Sequence, residues 1–83
     1  MSQYIVRVED RTWEVDVESE QRAAARAVAN HFGEATPPPS IEVEVFRGEH
    51  LGRFRVTANN TRKFEGRRAE AETNNWTFHA ERV

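Results

Sequence analysis

The sequence predicts a small α+β domain, in which one helix packs on one face of an antiparallel or mixed sheet of five to six strands. Three observations predict this class. Several short segments alternate apolar and polar residues, one alanine-rich segment follows a serine that can cap a helix, and turn residues separate the segments. The expected order is strand, strand, helix and then three or four strands. With 83 residues, the chain is expected to form a single domain over residues 1–83.

The first hairpin is predicted over residues 3–18, because both of its halves alternate apolar and polar residues. A two-residue turn at Asp10-Arg11 places Arg7 opposite Glu14 on the outer face. The inner face then holds three apolar pairs, Val8 with Trp13, Val6 with Val15 and Tyr4 with Val17. Arginine is a poor residue for the positive φ that such turns favour, so this register depends on the match of the two faces.

An alanine-rich helix is predicted from Glu20 to Phe32. The Ser19 hydroxyl can accept a backbone N–H at its start, and Gly33 is a typical left-handed residue just past its end. The helical period places Ala24, Ala25, Val28 and Phe32 on the apolar side, and Arg22, Arg26 and Asn30 on the opposite side. A charged residue in place of Ala24 or Val28 should therefore unfold the domain.

After the helix, Glu34–Ser40 is predicted to be an extended linker within the domain, because its three consecutive prolines are stiff. A second hairpin should then join Ile41–Arg47 to Gly52–Ala58. Its predicted inward pairs are Ile41 with Ala58, Val43 with Val56 and Val45 with Phe54. On the outer face, the same register places Glu44 beside Arg55 and Phe46 beside Arg53.

The C-terminal third contains one clear hairpin. A turn at Asn74-Asn75 pairs Thr73 with Trp76, Ala71 with Phe78 and Ala69 with Ala80, with Glu70 near His79 outside. Another turn is expected at Asn59-Asn60, and Gly66 indicates a bulge or bend in the segment that follows. Trp13 and Trp76 belong to the inner face by pattern, but each indole N–H needs a partner, so one of them is expected at the rim. The core is expected to close beneath the helix without a cavity for chemistry.

The first five elements have the order of a β-grasp domain, in which a helix crosses a mixed sheet. This is an analogy of element order alone, and folds of this kind carry many unrelated functions.

Charge is unevenly distributed along the chain, although the net charge is only −2. Residues 1–45 hold 4 basic and 9 acidic side chains, and residues 46–83 hold 8 basic and 5 acidic ones. Such polarity favours an anionic partner or contact between copies, or else basic and acidic strands pair within one sheet. The sequence has no cysteine, and we find no segment of the signal-peptide or membrane-spanning kind. A cytoplasmic protein is therefore expected, or one of the virion or host cytoplasm if it is viral.

Residue patterns that would indicate an enzyme are weak. No serine lies in a nucleophile motif, the glycines form no phosphate-binding loop, and His31, His50 and His79 lack metal-ligand spacing. We therefore expect no catalytic residues, no metal, no cofactor and no small-molecule substrate. The many strand carboxylates are explained as a solvated face, and His31 as a partly buried residue near the helix end.

The strongest candidate site is a cluster of arginine and aromatic residues in the second half of the chain. If the Asn59-Asn60 turn is tight, Arg55 faces Phe64, and both point away from the helix together with Phe46 and Arg53. Arginines among exposed aromatics can stack on bases or clamp a peptide. The full predicted surface is Phe46, Arg53, Arg55, Arg62, Lys63, Phe64, Arg67 and Arg68. Alternatively, one extra turn residue sends Phe64 into the core, and Glu44 alone pairs with Arg55.

The sequence therefore predicts a non-catalytic binding or assembly module that contacts a protein partner or further copies of itself. It would serve as a subunit of a larger complex, a viral one included, or as an adaptor or inhibitor. The alternative is a nucleic-acid-binding protein that uses the basic segment 47–68.

Overall fold

A computed structural model of the chain describes residues 2–60, 69–73 and 75–83. The elements are β1 (Ser2–Val8), β2 (Arg11–Val17), α1 (Glu20–Phe32), β3 (Ser40–Arg47), β4 (Glu49–Asn60), β5 (Ala71–Glu72) and β6 (Trp76–Arg82). The strands form one sheet in the order β2-β1-β3-β4-β6-β5, and each neighbouring pair is antiparallel. The predicted α+β class, with one helix against a sheet of six strands, is confirmed.

The sheet curls around α1, which contacts all six strands. β1 lies between β2 and β3 and is antiparallel to both, so β2 and β3 run in the same direction. The helix joins these two strands across β1. One face of the sheet therefore forms the core with α1, and the other faces outward.

The predicted bounds of the helix are confirmed, and its ends are capped as the sequence indicates. The Ser19 hydroxyl accepts the Arg22 N–H at 3.2 Å, and Gly33 has a φ of 56° and donates its N–H to the Ala29 carbonyl. The buried side is wider than predicted, because five alanines and Val28 are all enclosed by the curled sheet. These buried residues are Ala23, Ala24, Ala25, Ala27, Val28 and Ala29. Phe32 is only half-buried.

Apolar side chains from the sheet complete the core. Phe54 and Phe78 are its largest enclosed residues, and the rest are mainly valines on β1, β3 and β4. Alanines on α1 let the helix backbone approach these side chains closely. In the linker, Pro37 is buried, and the Pro39 carbonyl accepts the Ala58 N–H at 3.0 Å, which extends the β3–β4 ladder.

The first hairpin has the predicted faces but a different register. Its turn lies at Glu9-Asp10 rather than Asp10-Arg11, so Val6 pairs with Trp13 and Arg7 with Thr12. The predicted pairs, including Arg7 opposite Glu14, are therefore wrong by two positions. A shift of two preserves which side chains face the core, so burial alone does not distinguish the two registers.

This turn places a glutamate in a strained backbone conformation. Glu9 has a φ of 58° and is the one non-glycine residue with a positive φ in the described ranges. A left-handed conformation costs an L residue about 1–2 kcal/mol. We expect Glu9→Gly to raise the free energy of unfolding by about 1 kcal/mol in urea denaturation.

The neighbouring substitution Asp10→Gly is the matched control. Asp10 has no positive φ to relieve, so the added chain entropy should destabilise the domain by about 0.5–1 kcal/mol. Equal effects of the two glycines would contradict the strain at Glu9.

The second hairpin is also shifted by two positions from its predicted register. Val43 pairs with Phe54, Glu42 with Arg55 and Glu44 with Arg53. Gly48 alone separates β3 from β4 and has a φ of 78°, and an irregularity follows Val45. The connection predicted between Arg47 and Gly52 is therefore too long, because a tighter turn at Gly48 and the bulge together set the register.

The last hairpin has the predicted register, with Ala71 paired to Phe78 and the Thr73 N–H bonded to the Trp76 carbonyl at 2.8 Å. β5 begins at Ala71, so the predicted pair of Ala69 with Ala80 lies outside the ladder. The turn predicted at Asn59-Asn60 is wrong, because β4 continues through both residues and pairs them with β6. Gly66 and Asn74 lie outside the described residues.

Candidate binding surfaces

Three of the predicted site residues lie on the outer face of the sheet. Arg53 and Arg55 extend from β4, and both reach the same carboxylate, that of Glu42 on β3. The nitrogen–oxygen distances are 3.8 Å from Arg53 and 3.4 Å from Arg55. Both arginine side chains stay more than half exposed, so these pairs add little stability. Glu42, not Glu44, is therefore the neighbour of Arg55, because the β3–β4 register differs from the predicted one.

Phe46 is half-buried on the same face and is covered by its own neighbours. The His50 ring meets it edge-on, with 5.1 Å between the ring centres. The Arg7 guanidinium lies 5.9 Å from the centre of the Phe46 ring. This aromatic side chain is thus packed within the domain rather than presented alone to solvent.

Glu44 is the centre of the charges on this face. It accepts a hydrogen bond from Arg7, and its other carboxylate oxygen lies 3.3 Å from His50 Nε2. The hydrogen bond from Arg7 holds the pKa of the Glu44 carboxyl below its ordinary value, and the charges of Arg7, His50 and Arg53 act in the same direction. The stability that this shift contributes is present above the pKa that Glu44 has in the unfolded chain. It is lost as the pH falls through the lower pKa of Glu44 in the folded domain.

The remaining predicted site residues, Arg62, Lys63, Phe64, Arg67 and Arg68, lie outside the described residues. The same holds for the expected contact of Arg55 with Phe64. Their role in a basic surface therefore stays a prediction.

A second surface, which the sequence did not indicate as a site, lies at the C-terminal end of α1. An open groove of about 580 Å³ separates Trp13 on β2 from Trp76 on β6. Its other described lining residues are Ala29, Asn30, Gly33, Glu34, Thr73 and Asn75. We call it the tryptophan groove. It forms because the sheet curls far enough to bring β2 and β6 to either side of the helix. The sequence predicted a core that closes beneath the helix without a cavity, so it did not predict this open groove at the helix end.

The sequence predicted that one of the two tryptophans lies at the rim of the core. In the structure both are half-buried. Trp13 Nε1 donates to His31 Nδ1 at 3.1 Å, and His31 Nε2 lies 3.6 Å from a Glu9 carboxylate oxygen. His31 is thus the partly buried helix-end residue that the sequence predicts. The only sequence signal for the groove was the need of each indole N–H for a partner.

The electrostatics of the tryptophan groove favour positive charge. Glu34 brings an exposed carboxylate to its wall, and the C-terminal end of a helix carries a negative partial charge. The Arg11 guanidinium lies 4.4 Å from the centre of the Trp13 ring, so this ring already holds one cation of the chain itself.

A third feature is a histidine–glutamate pair between His79 on β6 and Glu70, which directly precedes β5. His79 Nδ1 lies 3.0 Å from a Glu70 carboxylate oxygen, as the sequence predicts. Beside it, Thr77 is buried on the outer face, and its hydroxyl donates to the Asn59 carbonyl at 3.3 Å.

The described residues contain no group of three or more His, Asp or Glu side chains that could hold a metal ion. In the described part of the chain, the helix α1 has neither the length nor the hydrophobicity of a membrane span. Ser19 is engaged as the cap of α1, as predicted.

Comparison of the chain with protein-family models, with curated proteins and with solved structures found no match.

Proposed function

We propose that this chain is a non-catalytic binding module whose partner is another protein. The tryptophan groove is the observation that carries the proposal. The domain encloses Phe54 and Phe78 almost completely, yet it leaves Trp13 and Trp76 partly exposed on either side of an open groove. Tryptophan is enriched among the residues that dominate binding energy at protein interfaces, especially in pockets at their centres.

The ligand chemistry that fits this groove is a cationic side chain, arginine or lysine, carried on a segment of the partner. An indole ring attracts a cation through its quadrupole, and Trp13 already holds the Arg11 guanidinium in this way, so the cation of the partner would meet Trp76. Glu34 and the C-terminal end of α1 add negative potential at the same place. A phosphate or a carboxylate would meet repulsion there, so the groove favours a basic protein segment over a nucleic acid.

A titration with capped tripeptides tests this site. Acetyl-Gly-Arg-Gly-amide and acetyl-Gly-Lys-Gly-amide should shift the indole N–H resonances of Trp13 and Trp76, with dissociation constants on the order of millimolar for one side chain. Glu34→Lys should weaken this binding about tenfold, because it reverses the charge in the groove wall. The matched control is Glu49→Lys, an exposed residue in the β3–β4 turn region at the other end of the sheet.

Two results would contradict the proposed site. One is equal shifts with acetyl-Gly-Glu-Gly-amide, which would remove the role of charge. The other is an equal loss of binding in Glu34→Lys and Glu49→Lys, which would indicate attraction to the net charge rather than to the groove.

The outer-face residues Phe46, Arg53 and Arg55 stay a second predicted contact surface for a protein partner. Exchange of both arginines for glutamate should abolish a contact made there without unfolding the domain. The nearby Glu42 weakens this candidate, because it already lies close to both guanidinium groups. The likeness of the first half to a β-grasp domain also stays a prediction, and the function does not depend on it.

Nucleic-acid binding through the basic segment is the alternative function. Native mass measurements with single- and double-stranded DNA and RNA separate it from protein binding. Under the alternative, complexes form at low salt, and log K falls with log salt by about 0.7–0.9 per phosphate contacted. Under our proposal, the mass of the chain stays unchanged by nucleic acid at every salt concentration.

A further inference from the structure

We propose that the free edge of β2 receives an extended segment of the partner as an added antiparallel strand, and that this segment alternates basic and apolar residues. The inference rests on the proposed function as a protein-binding module, and it specifies how the partner is held. β2 is the first strand of the sheet and pairs with β1 on one side only, within the part of the chain that the structure describes. Strand addition at such an edge is a recurrent mode of peptide recognition.

The turn between β1 and β2 determines which backbone groups of β2 can form hydrogen bonds with an added strand. Val8 and Arg11 flank the two-residue turn, so they form a hydrogen-bonded pair, and such pairs alternate along an antiparallel ladder. Every second residue of β2 from Arg11 onward therefore bonds to β1. The N–H and C=O groups of Thr12, Glu14 and Asp16 point to the free edge instead. All three side chains are exposed.

β3, in the interior of the same sheet, is a strand with the same alternation whose acidic side chains have basic partners. β3 alternates apolar residues with Glu42 and Glu44, as β2 alternates them with Glu14 and Asp16. Its neighbour β4 places Arg55 directly across from Glu42 and Arg53 across from Glu44. Opposite charges in such cross-strand positions stabilise the pairing, and the apolar alternates face the core.

No basic residue of β1 lies directly across from the carboxylates of β2. Across from Glu14 stands Ile5, and across from Asp16 stands Gln3. Within the described ranges, no arginine, lysine or histidine nitrogen lies within 4.0 Å of either carboxylate. An incoming strand with basic residues on the outer face would supply the missing charges, and its apolar residues would extend the inner face beside Val15 and Val17.

The same carboxylates oppose a second copy of the chain at this edge. Two β2 strands side by side would bring Glu14 and Asp16 of each copy together, and like charges across a strand pair are destabilising. Charged edge strands protect a sheet against pairing with itself. This protection does not act against a basic strand, so charge selects a different protein as the occupant.

Hydrogen exchange measured by NMR tests the inference with a defined probe. The probe is a capped peptide with the sequence of residues 52–58 of β4, Gly-Arg-Phe-Arg-Val-Thr-Ala, which carries the proposed alternation. At saturation it should slow exchange at the amides of Thr12, Glu14 and Asp16 by about tenfold or more, because these N–H groups gain partners. A control peptide with both arginines replaced by glutamate should leave the three amides unprotected.

Charge-reversed variants complete the experiment. The double variant Glu14→Lys/Asp16→Lys should bind the arginine peptide about tenfold more weakly, since two cross-strand pairs become repulsive. The matched control is Glu49→Lys/Glu72→Lys, which changes the net charge equally at two exposed positions away from this edge.

Three outcomes would overturn the inference. Shifts confined to the Trp76 indole and its surroundings, without protection on β2, would place the peptide in the groove and leave the proposed function standing. Equal binding of the two peptides would remove the charge selection. Protection of the three amides without peptide, together with a doubled native mass, would assign the edge to a second copy.

Discussion

Val28→Asp should unfold the domain. Val28 lies on the enclosed side of α1 and is 1% exposed, between alanines that are also buried. A carboxylate there has no described cation within the core to pair with, and burial of an unpaired charge costs several kcal/mol. A domain of this length has a margin of roughly 5–10 kcal/mol or less. We expect circular dichroism to show the loss of helix and strand signals at 25 °C.

Arg26→Asp provides the comparison at a position on the exposed side of the same helix. It introduces the same carboxylate, so a difference between the two variants reports on which side of α1 each residue lies. Its unfolding free energy should stay within about 0.5 kcal/mol of the wild-type value. A folded Val28→Asp protein with an unchanged melting temperature would show that the helix faces the sheet differently.

Phe54→Ala should give the second-largest loss. Phe54 has no exposed surface, lies on a central strand and carries the Arg82 guanidinium 4.9 Å from its ring centre. Truncation of an enclosed phenylalanine removes its transfer free energy and leaves a cavity, which together cost about 3–5 kcal/mol. Urea denaturation should record this as a lower midpoint with an unchanged slope.

Phe46→Ala is the matched substitution on the neighbouring strand. Phe46 is half-buried on the outer face, where its truncation leaves no enclosed cavity, so a loss of about 1 kcal/mol is expected. Comparable losses for Phe46 and Phe54 would mean that the outer face is covered more fully than the described residues indicate.

Sequence periodicity predicted which residues face the core better than it predicted how the strands pair. Val6, Val43 and Phe54 are buried as expected, because a period of two assigns each side chain to one face. The first two hairpins are nevertheless shifted by two positions. Turn geometry sets the register, and neither the positive φ of Glu9 nor the one-residue separation at Gly48 has a clear sequence signal.

The two surfaces differ in how much of them a sequence can reveal. The proximity of arginines and glutamates on β3 and β4 follows from their alternation, although the register decided that Glu42 is the shared partner. The tryptophan groove depends instead on the curl of the sheet, which brings Trp13 and Trp76 to the same helix end. Curvature arises from the packing of all the strands on α1, so no local pattern predicts it.

The strand order has a consequence for the kinetics of folding. β1–β2, β3–β4 and β5–β6 are each formed between segments adjacent along the chain. β4 meets β6 across β5, and β1 meets β3 across the longest span, which includes β2, α1 and the proline linker. Closure of that long loop costs chain entropy before its contacts form, and non-local pairings of this kind slow folding. Because the chain crosses β1 through α1 to reach β3, docking of the helix and pairing of β1 with β3 are expected in one step. The transition state should therefore contain the β1–β3 joint, with the three hairpins as faster local events.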